Sequence, residues 1–193
     1  MNRVLSAIPY REAKNWTRAS APIHKRVIVL HAMEYPEKSD SADWCARYFA
    51  GLEGPAPKAS AHACVDSASI VQCVPWEQIA WHAPGCNQWG IGIEHAGLSR
   101  QSIAEWQDAY SAAMLDLSAW LCAELCTKFQ IPVDFLDADE LAAAGEGARG
   151  ITLHSQVSRA FKKSDHTDPG PSFPIGDYLR LVGKYALDAG AGA

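Results

Sequence analysis

Four aliphatic residues in a row, Val27 to Leu30, stand between Arg26 and His31. A run this short with no polar face predicts a strand over 26–33 that is buried on both sides, in the middle of an α/β sheet. A helix is expected next, capped by Asp40 or Ser41 and burying Cys45, Tyr48, Phe49 and Leu52 at i, i+3, i+4 and i+7, with Gly54-Pro55 ending it. Residues 60–66 and 69–74 read as a hairpin, and 76–88 as a loop rich in tryptophan. In 90–96, alternation sends Gly90, Gly92 and Glu94 to one face and Ile91, Ile93 and His95 to the other. The two glycines suggest room for substrate over the glutamate's face.

A long helix follows, starting at Ser99 or Ser102, with capping-box spacing from Ser102 to Glu105 and an apolar stripe of Ile103, Trp106, Tyr110, Ala113, Leu117, Trp120 and Leu121. Ile131-Pro132 should stop it. A short exposed helix over 137–144, a flexible connector (GEGARG), a strand over 151–153 and a last helix over 175–187 complete the chain. Residues 1–26 read as an irregular arm anchored by Tyr10 and Trp16 and packed on a single domain spanning 27–187, while 188–193 (DAGAGA) reads as a linker. The order β-α-β-β-loop-β-α-β-α suggests a mixed sheet flanked by helices, a three-layer α/β domain.

At 193 residues the chain can bury a substantial core in one domain. No run approaches the ~18 apolar residues of a membrane span, and the start lacks a continuous apolar segment, so a cytosolic product is expected. The net charge is −5 and uneven: 105–146 holds nine acids against Lys128, and 1–38 holds seven bases against three acids. No basic patch is interleaved with aromatics, which argues against a nucleic-acid partner. The six cysteines form no C-x-x-C pair and are expected to be reduced, with Cys122 and Cys126 as small core residues.

The chemistry concentrates in 154–173, HSQVSRAFKKSDHTDPGPSF. Zinc takes neutral imidazole nitrogen and carboxylate oxygen, and a catalytic site uses three protein ligands with one position left for water. His154 and Asp168 can supply two. Pro169, Gly170 and Pro171 would hold the Asp168 carboxylate on stiff backbone. His31, at the end of the first apolar strand, is the best candidate for the third.

A strand ending in His, a distant second His and a closing T-D-P-G-P resemble the zinc N-acetylmuramoyl-L-alanine amidases, a family that includes phage endolysins and peptidoglycan-recognition proteins. The resemblance runs in order through VLHAMEYP, SAHACVD, IVQCVPWEQIAWHAPG, IGIEHAG, LHSQVS and HTDPGPSFP, from about residue 28 to 173. Its wording is nearest to the amidase domains of mycobacteriophage-type endolysins.

The resemblance implies a three-layer α/β fold, a Zn²⁺ cofactor on His31, His154 and Asp168, and cleavage between N-acetylmuramic acid and L-alanine of peptidoglycan. Glu94, in IGIEHAG, matches the family's active-site glutamate, a base and then an acid. His166 stands where many relatives carry lysine, and its N–H could bind the oxyanion. Ala61 stands where some amidases use a tyrosine. Trp81, His82 and Asn87 are expected to line the substrate groove. The resemblance further implies a monomer that waits in the host cytoplasm until released to the wall, and to which a cell-wall-binding domain could be attached. Two other readings remain open, a zinc peptidase cutting within the stem peptide and a non-catalytic peptidoglycan-binding module. Presence of Asp168 weighs against the binder.

Overall fold

The structure is a computed structural model that describes residues 3–190. Seven strands and six α-helices occur among these residues: β1 (Trp16–Thr17), β2 (Val27–Ala32), α1 (Ser41–Ala50), β3 (Ala63–Val65), β4 (Ile70–Gln72), β5 (Ile79–Ala80), β6 (Gly90–His95), α2 (Ile103–Trp106), α3 (Ala109–Phe129), α4 (Ala138–Ala144), β7 (Gly150–Leu153), α5 (His154–Phe161) and α6 (Ile175–Gly190). Five strands form one mixed sheet in the order β4-β3-β6-β2-β7. Strands β3, β6, β2 and β7 run parallel, and β4 pairs antiparallel with β3.

Every residue of β2 is buried, as expected of a strand with neighbours on both edges and helices on both faces. Ile28 and Leu30 join Ile91, Ile93, Ile151 and Leu153 under α3 and α6 in the larger core. Val27 and Val29 point to the other face, where they meet Cys86, Trp89 and Val157, while α1 packs with Cys64, Val71 and Cys73 beside them. The result is a mixed sheet between two layers of helices. All six cysteines are free thiols in the interior, and among the described residues no helix is long and apolar enough to cross a membrane.

Several local expectations are corrected. Helix α1 ends at Gly51, whose φ of 76° terminates it three residues before Gly54; Tyr48 and Leu52, expected in the core, are exposed. The long helix is two. Ser102 and Glu105 do form a capping box, but it caps the four-residue α2, and Asp108 then caps α3 by accepting from Ser111 N. Ile103 is consequently exposed, and the buried side of α3 runs through Met114, Ser118, Leu121 and Leu125. The 76–88 loop contains β5, which pairs with β1 and so ties residues 16–17 to the domain. Tyr10 bridges to Gln72, and Leu5 and Ile8 pack on the main core. The last helix continues to Gly190 through part of the stretch read as a linker; residues 191–193 lie outside the described residues.

Candidate active site

Three neighbouring parallel strands end side by side. Their register places His31 of β2 opposite Glu94 of β6, and Leu30 opposite Leu153, the last residue of β7. His154 therefore emerges next to His31 at the carboxyl ends of the strands, where open α/β sheets build their sites. It is also the first residue of α5, a helix that sequence reasoning missed.

Asp168 reaches both histidines from the loop after α5. Its Oδ2 lies 3.2 Å from His31 Nδ1, and its Oδ1 lies 3.1 Å from His154 Nδ1. The loop is secured on both sides: Ser155 N donates to the Asp168 carbonyl (3.0 Å), and Ala32 N lies 3.4 Å from Oδ2. Gly170, with a φ of 95°, passes so close to Ser99 that a Cβ would stand 1.8 Å from its carbonyl oxygen, so only glycine allows this approach.

The donor set fits zinc. Donor atoms of His31, His154 and Asp168 all lie within 4.8 Å of one another. Two ligands on a tetrahedral zinc with bonds of ~2.0–2.2 Å stand roughly 3.3–3.6 Å apart, close to the two Asp168–histidine separations of 3.2 and 3.1 Å. Burial lowers the His31 pKa to about 4, against the opposing hydrogen bond to Asp168, so the ring is neutral near pH 7 and able to ligate. Burial alone would raise the Asp168 pKa, but hydrogen bonds from His154 and His31 outweigh it and hold the carboxyl well below the usual range. Three protein ligands leave a fourth position for water or substrate, as catalytic rather than structural zinc requires.

Glu94 borders the same cleft, a cavity of about 350 Å³ that is also lined by Trp44, Tyr48, Trp81, His154, His166 and Asp168. Its Oε2 is buried and has no partner among the described residues. Burial first, then the charges of Asp168 and Glu34, raises its pKa to about 8. The two carboxyl groups of the site are thus pushed apart, one ionised and one able to hold a proton, as acid-base chemistry needs.

His166 stacks on His154 at 4.2 Å with 19° between the rings, and its Nδ1 lies 3.4 Å from Asp168 Oδ1. Its side chain is 58% exposed at the cleft mouth. Trp81 is on the rim, its indole N–H donating to Thr17 Oγ1 at 2.9 Å. Other expectations about the groove are revised. Asn87 does not line the cleft; its Oδ1 accepts from the backbone of His82 (3.0 Å) and Ala83 (2.6 Å). His82 is buried at the cleft floor with its Nδ1 3.1 Å from His31 Nε2. The room expected over Gly90 and Gly92 is filled by its ring, since a Cβ on Gly92 would stand 2.6 Å from His82 Cγ. His95 faces away from Glu94, between Phe173 and Tyr178, and its Nε2 meets Ser118 Oγ at 2.7 Å.

The family pattern described as N-acetylmuramoyl-L-alanine amidase (Amidase_2) matches residues 20–171. The chain belongs to that family. This amidase is 27% identical over 187 residues to N-acetylmuramoyl-L-alanine amidase A of Achromobacter lyticus, covering 92% of the chain and 89% of the relative. Its fold is similar to that of the Staphylococcus aureus hydrolase AmiA in complex with its ligand, with a TM-score of 0.65 at 17% identity over 95% of this chain and 85% of that one. It is also similar to a mutant endolysin from Bacillus subtilis, with a TM-score of 0.62 at 18% identity over 91% and 97% of the two chains. The amidase acts on peptidoglycan, and its mixed sheet flanked by helices is the architecture of these structures.

Proposed function

We propose that the protein is a zinc-dependent N-acetylmuramoyl-L-alanine amidase that serves as the catalytic part of a phage endolysin. The carrying observation is the convergence of His31, His154 and Asp168 beside the unpartnered carboxyl of Glu94. A zinc ion held by these three side chains would supply Lewis-acid polarisation of the scissile carbonyl and acidify a water molecule. A cation bound beside Glu94 would offset the burial that raises its pKa, so that its carboxylate can take the proton from the attacking water and return it to the leaving nitrogen of L-alanine. His166, exposed at the mouth, directs an N–H toward the oxygen that gains charge in the transition state. Trp81, Trp44 and Tyr48 offer aromatic surface to the muramyl peptide along the wall of the cleft.

The endolysin role draws support from the motif wording and from the endolysin fold among its structural relatives. In that role the protein would remain in the host cytoplasm until released to the wall.

Digestion of purified peptidoglycan with analysis of the products tests the reaction. The expected products are new L-alanine amino termini and intact muramic acid, lost on chelation and restored by zinc. New termini within the stem peptide would make the protein a peptidase instead, and binding without any product would make it a recognition module.

A further inference from the structure

His82 occupies a built position behind His31. Its Nδ1 lies 3.1 Å from His31 Nε2, and the two rings meet edge to face, with 5.2 Å between centroids and an interplanar angle of 84°. Both residues are buried. Three separate features hold the ring there. It lies against β6, where a Cβ would approach it to 2.6 Å at Gly92 and 3.2 Å at Gly90. The loop carrying it is closed by the Asn87 side chain, which accepts from the His82 and Ala83 amides. On its far side stands His62, at 5.8 Å, which is itself fixed by Gln78 O and Gly92 N, each 3.0 Å from a ring nitrogen.

A neutral imidazole carries one N–H, and the hydrogen bond at one nitrogen decides which nitrogen is free to bind a metal. His31 presents Nδ1 to the cleft, next to Asp168 and His154, and Nε2 to His82. A proton on Nε2 leaves the Nδ1 lone pair facing the ligand cluster. In the metal-free chain Asp168 Oδ2, 3.2 Å from His31 Nδ1, holds the ring's proton on that nitrogen; a cation at Nδ1 would displace it and leave Nε2 to carry the N–H toward His82 Nδ1, with the His82 proton on its own Nε2, which has no partner among the described residues.

We propose that His82 is a positioning residue for the metal ligand His31, accepting the His31 Nε2–H at its own Nδ1 and thereby fixing both the tautomer and the ring plane. The inference rests on the zinc site proposed above. It assigns the glycines at 90 and 92 and the carbonyl of Asn87 to one task, seating the His82 ring, rather than to contact with substrate. Partners of this kind typically alter metal affinity by ~10–100-fold when removed.

Zinc affinity of the whole chain, measured by competition with a chromophoric chelator, tests it without reference to turnover. His82→Ala is expected to weaken zinc binding by ~10–100-fold. His82→Asn, whose Oδ1 can accept from nearly the same position, is expected to recover most of that loss. Gly92→Ala keeps every histidine in the sequence but displaces the His82 ring, which a Cβ would approach to 2.6 Å, and should weaken binding in the same sense. Thermal unfolding of each metal-free variant distinguishes a local effect from lost structure. If the unaltered chain binds no zinc, the metal reading itself is at fault. If it binds zinc and His82→Ala binds equally well, His82 has no positioning role. Equal weakening in His82→Ala and His82→Asn, with equal loss of thermal stability, would make the histidine merely a packing element and overturn the proposal.

Discussion

Replacing Glu94 by Gln removes a proton acceptor while conserving shape, and two consequences can be measured separately. For activity, the loss of a general base that also serves as acid costs roughly 10²–10⁴-fold in turnover, with zinc content unchanged because Glu94 is not among the three converging ligands. For stability, the relevant fact is that burial, followed by Asp168 and Glu34, raises the Glu94 pKa from 4.5 to about 8. Between those values the metal-free folded chain binds more protons than the unfolded one, so this carboxyl makes folding less favourable as pH rises through that window. At pH 8 the accumulated cost is on the order of a few kcal/mol, since each pKa unit corresponds to about 1.4 kcal/mol. Glutamine cannot ionise and avoids it. Metal-free Glu94→Gln should therefore melt higher than the metal-free parent at pH 8, by roughly 5–10 °C for a domain of this size, and the two should converge near pH 4.5. Scanning calorimetry across pH, paired with release of L-alanine amino termini from peptidoglycan, gives both readings. Full turnover in the variant would refute the catalytic assignment. A melting difference independent of pH would refute the electrostatic one.

Gly170→Ala places a methyl 1.8 Å from the Ser99 carbonyl at a φ of 95°; chemical denaturation should show a loss of at least 1–3 kcal/mol, with zinc affinity falling because Asp168 moves. Lys25 is buried, donates to the Gly90 carbonyl at 2.8 Å, and has its pKa lowered to about 7, chiefly by burial. Here the unfolded chain binds more protons between about 7 and 10.5, so this residue makes stability rise with pH across that range; Lys25→Met should flatten the rise in urea titrations. Ser118→Ala removes the hydroxyl that lies 2.7 Å from His95 Nε2 and 2.9 Å from Tyr178 Oη; Tyr178 keeps the Ser118 carbonyl at 3.3 Å, and leaving the buried His95 Nε2 unpaired should cost about 1–3 kcal/mol of unfolding free energy.

The parts of the molecule that could be read from sequence are those in which a local pattern meets a strong constraint. An apolar run of four, three of them β-branched, is too short for a helix and reads as an interior strand, whose end delivers His31 to a sheet edge. The same logic placed His154 after β7. What followed was less visible, because α5 begins directly at His154 without a side-chain cap, so no Ser, Thr, Asp or Asn signals its start. The break between α2 and α3 was legible in principle, since Asp108 precedes Ser111 with N-cap spacing, but the nearly continuous apolar content concealed it. Strands β1 and β5 have two residues each, too few for any periodicity.

The site shows the same division. Residue type and motif order pointed to the ligand set and to Glu94, whereas the use of the space above Gly90 and Gly92 depended on a side chain arriving from another part of the chain. Two glycines beside a glutamate read as an open groove; His82 closes it. Alternation alone cannot distinguish a gap left for substrate from a gap filled by an imidazole.

Zinc stoichiometry tests the core of this picture most directly. After dialysis against zinc and removal of excess metal, elemental analysis should find one zinc per chain in the unaltered protein and almost none in Asp168→Ala, with both folded by circular dichroism. A folded parent protein without zinc, or an Asp168→Ala variant that retains a full equivalent, would contradict it.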